Sequence, residues 1–419
     1  MAQDEKTIYV YENWREETPS LFGTLHVDFI RGQETFSFEY DPQWLTECEG
    51  ACSLDPDLSL YSGRQYTPLG KNLFGLFADS CPDRWGRLLM KRKEAIDARK
   101  EDRKPRKLTE SDFLLGVYDE SRMGALRFSL EQGGEFLSND KAFATPPWVS
   151  LRTLENTSFA FENDDSGLEE KWLRELLAPG SSLGGARPKA TVQATDGSLW
   201  IAKFPSKHDE YNSGAWEKVV HDLARMCGLN VPESKLETFS KNGSTFLVKR
   251  FDRAGKQRIH FASAMTLLGK TDGASAADGA SYLDLAAFIR ANGAEPKQDL
   301  AELWKRIVFS MAVSNTDDHL RNHGFILTST GWRLAPLFDV NPVPFGDRLS
   351  LNVSEYDNTI DLHLALEVAE YFGLEDKDAG KAAAEICDTV QANWDRLAEH
   401  YRLGREAIEY MRPAFSLER

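Results

Sequence analysis

Residues 314–327, SNTDDHLRNHGFIL, gather two aspartates, two histidines, two asparagines and an arginine beside an apolar helical stretch. Asp317 and Asn322 lie five positions apart on a segment that leaves that helix. A carboxylate and an amide at this spacing can serve one site without both being metal ligands. In the catalytic loop of protein kinases the carboxylate takes a hydroxyl proton and the amide oxygen holds magnesium. Such a site needs a second carboxylate further on. Asp339 supplies it, at the end of the apolar run in GWRLAPLFDVNP. Its oxygens are the hard donors that magnesium accepts while it bridges nucleotide phosphates.

Phosphoryl transfer also needs a cation on the phosphates. Lys203 ends the apolar strand LWIAKFP, where Leu199, Ile201 and Lys203 share a face, and Glu217 on the next helix is placed to orient it. Upstream, SSLGGARPKA offers Ser182, Gly184, Gly185 and Ala186, a backbone that can turn its N–H groups toward an anion, with Lys189 adding charge. Singly, each piece has an ordinary explanation: a turn, a snorkelling lysine, a strand-end cap. Their order carries the argument: Gly-rich turn, lysine strand, glutamate helix, hairpin, helical lobe, Asp-x4-Asn, strand pair, Asp.

The elements that must position these groups follow from periodicity. TIYVYE, GTLHVDFI and ETFSFEY predict strands within residues 1–40. A helix is expected with Pro82 at its start, a short helix or apolar turn in ESDFLLGVYD, and a strand in GALRFSL. The polar, Gly/Pro-rich stretch 130–165 predicts a boundary. Beyond it come a helix over 168–178, the hairpin ATVQA–TDGS–LWIAKF, an amphipathic helix over 214–228 ending at Gly228, and the strands SKLETFS and STFLVKRFD. In residues 297–314, Leu300, Leu303, Trp304, Ile307, Val308 and Met311 fall on one helical face, and 361–417 reads as further helices. The expected class is α+β. It has a β-rich N-terminal accessory domain (1–145), a nucleotide-binding small lobe (146–253) and a helical catalytic lobe (254–419).

The net charge of −16 disfavours non-specific attraction to nucleic acid or anionic membrane. The basic run 91–107 reads mainly as a solvated helix face, with a local phosphate contact as its other use. Five scattered cysteines argue against a disulfide framework and fit a reducing cytosol, and CEGAC (48–52) has no second pair with which to form a zinc clip. The N-terminal stretch lacks the pattern of a signal peptide, and no apolar run is long enough to span a bilayer, so a cytoplasmic protein without membrane contact is expected.

With these motifs in place, the chain resembles the HipA family of serine/threonine kinases, the toxins of HipBA toxin–antitoxin pairs. SNTDDHLRNHGF and LAPLFDVNP match that family's catalytic and metal segments; SLGGARPKA, IAKFP, LVKRFDR and LFADSCPDRWGRLL match others, over roughly 20–400. DDHLRN also resembles the catalytic loop of phosphatidylinositol kinases, so the implied fold is two-lobed and protein-kinase-like. The resemblance implies an ATP- and magnesium-dependent serine/threonine protein kinase. Asp317 is its base, Asn322 and Asp339 hold magnesium, and Lys203 contacts the ATP phosphates. The backbone of Val248, Lys249 and Phe251 meets the adenine, and Asp252 lies near the ribose. Ser182, with Ser181 as its neighbour, is the matching autophosphorylation position in the Gly-rich loop. His319 also matches the family and reads as a structural hydrogen-bonding residue at the nucleotide site. The implied partners are a HipB-like helix-turn-helix antitoxin, through which DNA is met only indirectly, and a protein substrate; family targets include aminoacyl-tRNA synthetases. Arg187 and Pro188 replace a Gln-Glu pair found in some members, and Lys249 stands where an acidic residue can occur. These departures bear on substrate identity and leave the catalytic groups intact. Two rival readings are a catalytically silent scaffold acting as corepressor and a kinase of a small-molecule hydroxyl. A metal-dependent hydrolase is a third, which would want more His or Asp ligands.

Overall fold

The computed structural model describes residues 5–30, 32–48, 52–141, 144–163, 176 and 187–417. The chain divides into two compact units, neither a continuous stretch: residues 1–206 with 249–262, and residues 207–248 with 263–419.

The first unit is built on an antiparallel sheet of β1 (Lys6–Glu12), β2 (Ser20–Ile30), β3 (Gln33–Tyr40), β4 (Gln65–Tyr66) and β5 (Leu126–Ser129), in the order β4-β3-β2-β1-β5. The strands expected in residues 1–40 are all present. A bulge between Val10 and Tyr11 shifts the β1–β2 register. Alternation sends Phe22, Phe36 and Phe38 to the interior, where Phe22, Phe38, Tyr40 and Trp44 pack as stacked and edge-on rings. Asp83 caps α1 (Arg84–Lys100) by accepting from the Gly86 N–H, so Pro82 stands just outside the helix instead of beginning it. α2 (Glu110–Gly116) starts with a capping box of Thr109 and Asp112. After α3 (Leu151–Glu162), β6 (Lys189–Gln193) and β7 (Leu199–Lys203) form the expected hairpin, with Lys189 opposite Lys203. The helix expected over 168–178 lies outside the described residues, apart from Leu176.

The returning segment 249–262 joins this unit through buried charge. Arg250 donates to both oxygens of Asp252 (2.9 and 2.6 Å) and to the carbonyls of Ser121 and Arg122; Arg253 adds a bond to Asp252 (2.6 Å). Arg258 and Arg127 meet on Asp119, at 2.9 and 2.5 Å. Three residues at the end of the sequence-predicted small lobe, Arg250, Asp252 and Arg253, are thereby tied to the loop that precedes β5.

The second unit contains α4 (Ser213–Met226), the hairpin of β8 (Ser234–Ser240) and β9 (Gly243–Lys249, whose last residue falls to the first unit), α5 (Tyr282–Asn292), α6 (Pro296–Ala312), the hairpin of β10 (Gly324–Thr328) and β11 (Gly331–Leu334), α7 (Leu362–Glu367), α8 (Asp376–His400) and α9 (Arg405–Met411). α6 packs against both α5 and α8, and Leu300, Leu303, Trp304, Ile307, Val308 and Met311 are all buried, as their spacing predicts. Gly228, at φ +74°, turns the chain after α4 where a side chain would be strained. No described helix is long and apolar enough to cross a membrane.

Candidate active site

α6 positions the site from both of its ends. Near its start, Asp299 accepts from the Arg333 guanidinium (3.0 Å) and the Leu334 N–H (3.0 Å). Nearly two turns before its end, Arg306 donates to the Ala335 carbonyl (2.9 Å). The strand that leads to Asp339 is thereby fixed to the helix that leads to Asp317. Past α6 the chain reverses at Ser314, which takes a left-handed φ of +48°; Asp339 does the same at +58°. Both are unfavourable conformations for residues with a Cβ, and a well-braced surrounding is needed to hold them. Asn315 provides part of the bracing, accepting from the Asn341 N–H (3.3 Å), while the Val343 N–H donates to the Ser314 carbonyl (3.1 Å).

Within this frame Asp317, Asp318 and Asn322 have three different roles. Asp317 is exposed, and its carboxylate accepts no side-chain hydrogen bond among the described residues. Partial burial pushes its carboxyl above the usual range; His319 pulls it down, while the charges of Asp339 and Asp318 push it up. Asp318 is buried and fully used: Tyr282 donates to it at 2.5 Å, and the His323 Nε2 stands 3.0 Å away. Burial alone would raise it, but His323 and Tyr282 outweigh that and hold its carboxyl below the usual range. Asn322 is buried and donates its amide N–H to the Asp317 carbonyl (2.8 Å). That bond fixes which end of the amide is oxygen. The oxygen is left buried without a partner, as is the His319 Nδ1.

An orphaned buried oxygen is costly unless something takes it up. Asn322 Oδ1 and the half-buried Asp339 carboxylate are hard oxygens, the kind of donor that could hold magnesium. No group of three or more His, Cys, Asp or Glu side chains among the described residues could cage a metal ion. Two protein oxygens are what a magnesium ion needs when nucleotide phosphates and water complete its shell.

Asp317 interacts with Asn322, Asp339 and His319 within the second unit; Val248, near the end of β9, belongs to the same unit. Lys203, Lys189, Lys249, Phe251 and Asp252 belong to the first unit, and Glu217 is buried on α4 of the second. Ser181, Ser182, Gly184, Gly185 and Ala186 lie outside the described residues. Two of these residues have buried protein partners that the sequence did not indicate. Asp252 was expected near a ribose; it is wholly buried, and both its oxygens are taken by Arg250, Arg253 and the Gly124 N–H. Lys189 was expected to lend charge to phosphates; it is buried, and its ammonium donates to Asp83 at 2.7 Å. The Trp85 indole N–H also donates to the Lys189 carbonyl, so the segment CPDRW supports the strand that follows the Gly-rich turn. Sequence reasoning missed Asp318, Asn315 and Asp83 as positioning residues. The doubled aspartate followed by His323, and an aspartate directly before a helix, were the available signals.

Residues 181–394 match the family model of the HipA-like C-terminal domain, which is just over half of the chain. The chain belongs to the HipA family. The Sinorhizobium fredii protein named "Putative kinase Y4mE" is 30% identical over 183 residues, covering 38% of this chain and 41% of that protein. A second S. fredii protein, "Putative kinase Y4dM", is 28% identical over 271 residues, covering 59% of each. The chain thus spans about half the length of the curated relatives it matches. Among solved structures, HipA of Shewanella oneidensis MR-1, determined with HipB and operator DNA, superposes with a TM-score of 0.66 at 18% identity, covering 98% of this chain and 95% of that one. The chain shares the α+β, kinase-like fold of HipA.

Proposed function

We propose that this HipA-family chain is an ATP- and magnesium-dependent serine/threonine protein kinase of the toxin type. The observation that carries this reading is the unpartnered, buried Oδ1 of Asn322, set beside two carboxylates whose charges repel across the site. Asp317, with its raised pKa, accepts the proton of the substrate hydroxyl. That oxygen forms a bond to the γ-phosphorus of ATP as the bond to the β-phosphate oxygen breaks, leaving ADP. Asn322 and Asp339 hold magnesium, which when bound neutralises charge on the phosphates. Lys203 and the backbone of the Gly-rich loop orient those phosphates, and the backbone of Val248, Lys249 and Phe251 receives the adenine. His319 braces the loop around Asp317. Ser182, or Ser181 beside it, is the site of self-phosphorylation. The partner is a HipB-like antitoxin, through which operator DNA is met, and the setting is cytoplasmic. The substrate is a bacterial protein, with an aminoacyl-tRNA synthetase as the first to try.

The test is incubation with γ-labelled ATP and magnesium, alongside Asp317→Ala, with the label mapped by mass spectrometry. Label on Ser182 or Ser181 in the wild type only supports the reading. Absence of label together with no ATP-dependent rise in melting temperature overturns it.

A further inference from the structure

The loop after Asp339 carries an exposed phenylalanine, Phe345, and runs along the catalytic segment. Its path is set by bonds already within the second unit: Asn341 N–H to Asn315 Oδ1, Val343 N–H to the Ser314 carbonyl, and Ser350 Oγ to the Thr316 carbonyl (2.7 Å). Gly346 sits so close to Thr316 that an added Cβ would stand 2.1 Å from its Cγ2. Residues 341–350 therefore run beside the three residues that precede Asp317. Phe345 projects from this loop with 74% of its surface exposed. Tyr410, on α9 and 43% exposed, meets it edge-on at 5.9 Å and 84°, and Tyr211 leans on Tyr410 at 6.3 Å. A phenyl ring left in water contributes little to the core of its own unit. Phe345 and Tyr410 together form an exposed aromatic pair, the kind of apolar surface that serves recognition.

We propose that Phe345, backed by Tyr410, is a specificity-determining ledge that receives an apolar or aromatic side chain flanking the phosphoacceptor serine or threonine of a polypeptide substrate. This rests on the kinase reading and names its substrate class. Asp317 is exposed, so the acceptor hydroxyl arrives at an open surface and one hydroxyl offers little binding energy of its own. The remainder must come from residues beside it in the same chain. An edge-on pair of rings presents both a face and an edge to a further ring or aliphatic group, as at the aromatic centres of protein interfaces.

The test uses synthetic peptides with a central serine in which each flanking position in turn is Phe, Leu, Ala or Glu, with γ-labelled ATP and magnesium. At one position, Phe and Leu peptides are expected to be labelled about tenfold faster than Ala or Glu peptides. Phe345→Ala is expected to raise the peptide KM by about tenfold and erase the preference, with the KM for ATP held, because an anchoring ring acts on peptide binding. Phe345→Leu, which keeps an apolar surface and guards against misfolding, should retain the preference. Tyr356→Ala, which removes an aromatic 89% exposed on a different turn, should leave it unchanged. Equal labelling of all peptides, or a preference that survives Phe345→Ala, overturns the proposal. Self-labelling of the chain with no peptide labelled overturns the ledge and leaves the kinase reading standing. Neither labelling nor an ATP-induced rise in melting temperature removes both.

Discussion

Asp252 in the first unit receives four hydrogen bonds, from two arginines and a backbone N–H, and is wholly buried. Asp317 in the second unit is exposed, accepts no side-chain hydrogen bond among the described residues, and faces the charge of another carboxylate. Asp252 is held below the usual carboxyl range, where its arginines overcome a large burial cost; Asp317 is pushed above it. A fully partnered acid spends its charge on holding the fold. An acid left unpartnered beside a like charge keeps its charge for a proton, a cation or a substrate. Asp317 and Asp318 repeat the contrast in adjacent positions.

The sharpest way to break this comparison is Asp317→Ala. Phosphate transfer from γ-labelled ATP should fall by roughly 10²–10⁴-fold, the usual worth of a general base, while the melting temperature holds. Asp252→Ala should show the opposite pattern at similar size. It strands Arg250 and Arg253 in the interior, and unfolding in urea should reveal a loss of about 3–5 kcal/mol. An Asp252→Ala protein that melts like the wild type would show that this cluster is not structural. Asn322→Ala should raise the magnesium concentration for half-maximal labelling by about tenfold or more, and, because it also removes the amide N–H bond to the Asp317 carbonyl, it should lower stability by about 1 kcal/mol, measured by urea unfolding.

The smallest effects sharpen the comparison through pH. Asp252 has a depressed folded pKa, so its stabilisation is fully present above the ordinary carboxylate value of about 4 and is lost as pH falls through the folded value. The stability gap between wild type and Asp252→Asn should therefore narrow below about pH 4. Asp317 has the reverse sign. Its raised folded pKa makes the charged form a cost, present above that pKa and gone below the ordinary value. Asp317→Asn should raise the melting temperature slightly at neutral pH, and that gain should disappear in acid. Calorimetry across pH on both variants measures the two trends together.

Much was legible from residue order. The strands within 1–40 were readable because aromatic and β-branched residues alternate there, and α6 because its apolar residues recur at helical spacing. The catalytic candidates were readable because Asp317, Asn322 and Asp339 sit close in sequence with turn residues between them. The buried partners of Asp252 and Lys189 were not legible, for one reason. Each looks like a charged residue next to a nucleotide motif, and each is claimed by a partner more than a hundred positions away: Gly124 for Asp252 and Asp83 for Lys189.

By itself the sequence determined the kinds of element, the order of the chemical groups and the family to which they belong, because periodicity, turn chemistry and motif spacing are local properties. Only the folded chain decided which of two adjacent aspartates stays exposed, which amide oxygen is left without a partner and which lysine is neutralised. Hydrogen bonding and burial are settled between residues distant in sequence, and a side chain's charge becomes available for chemistry only after those distant partners have been assigned.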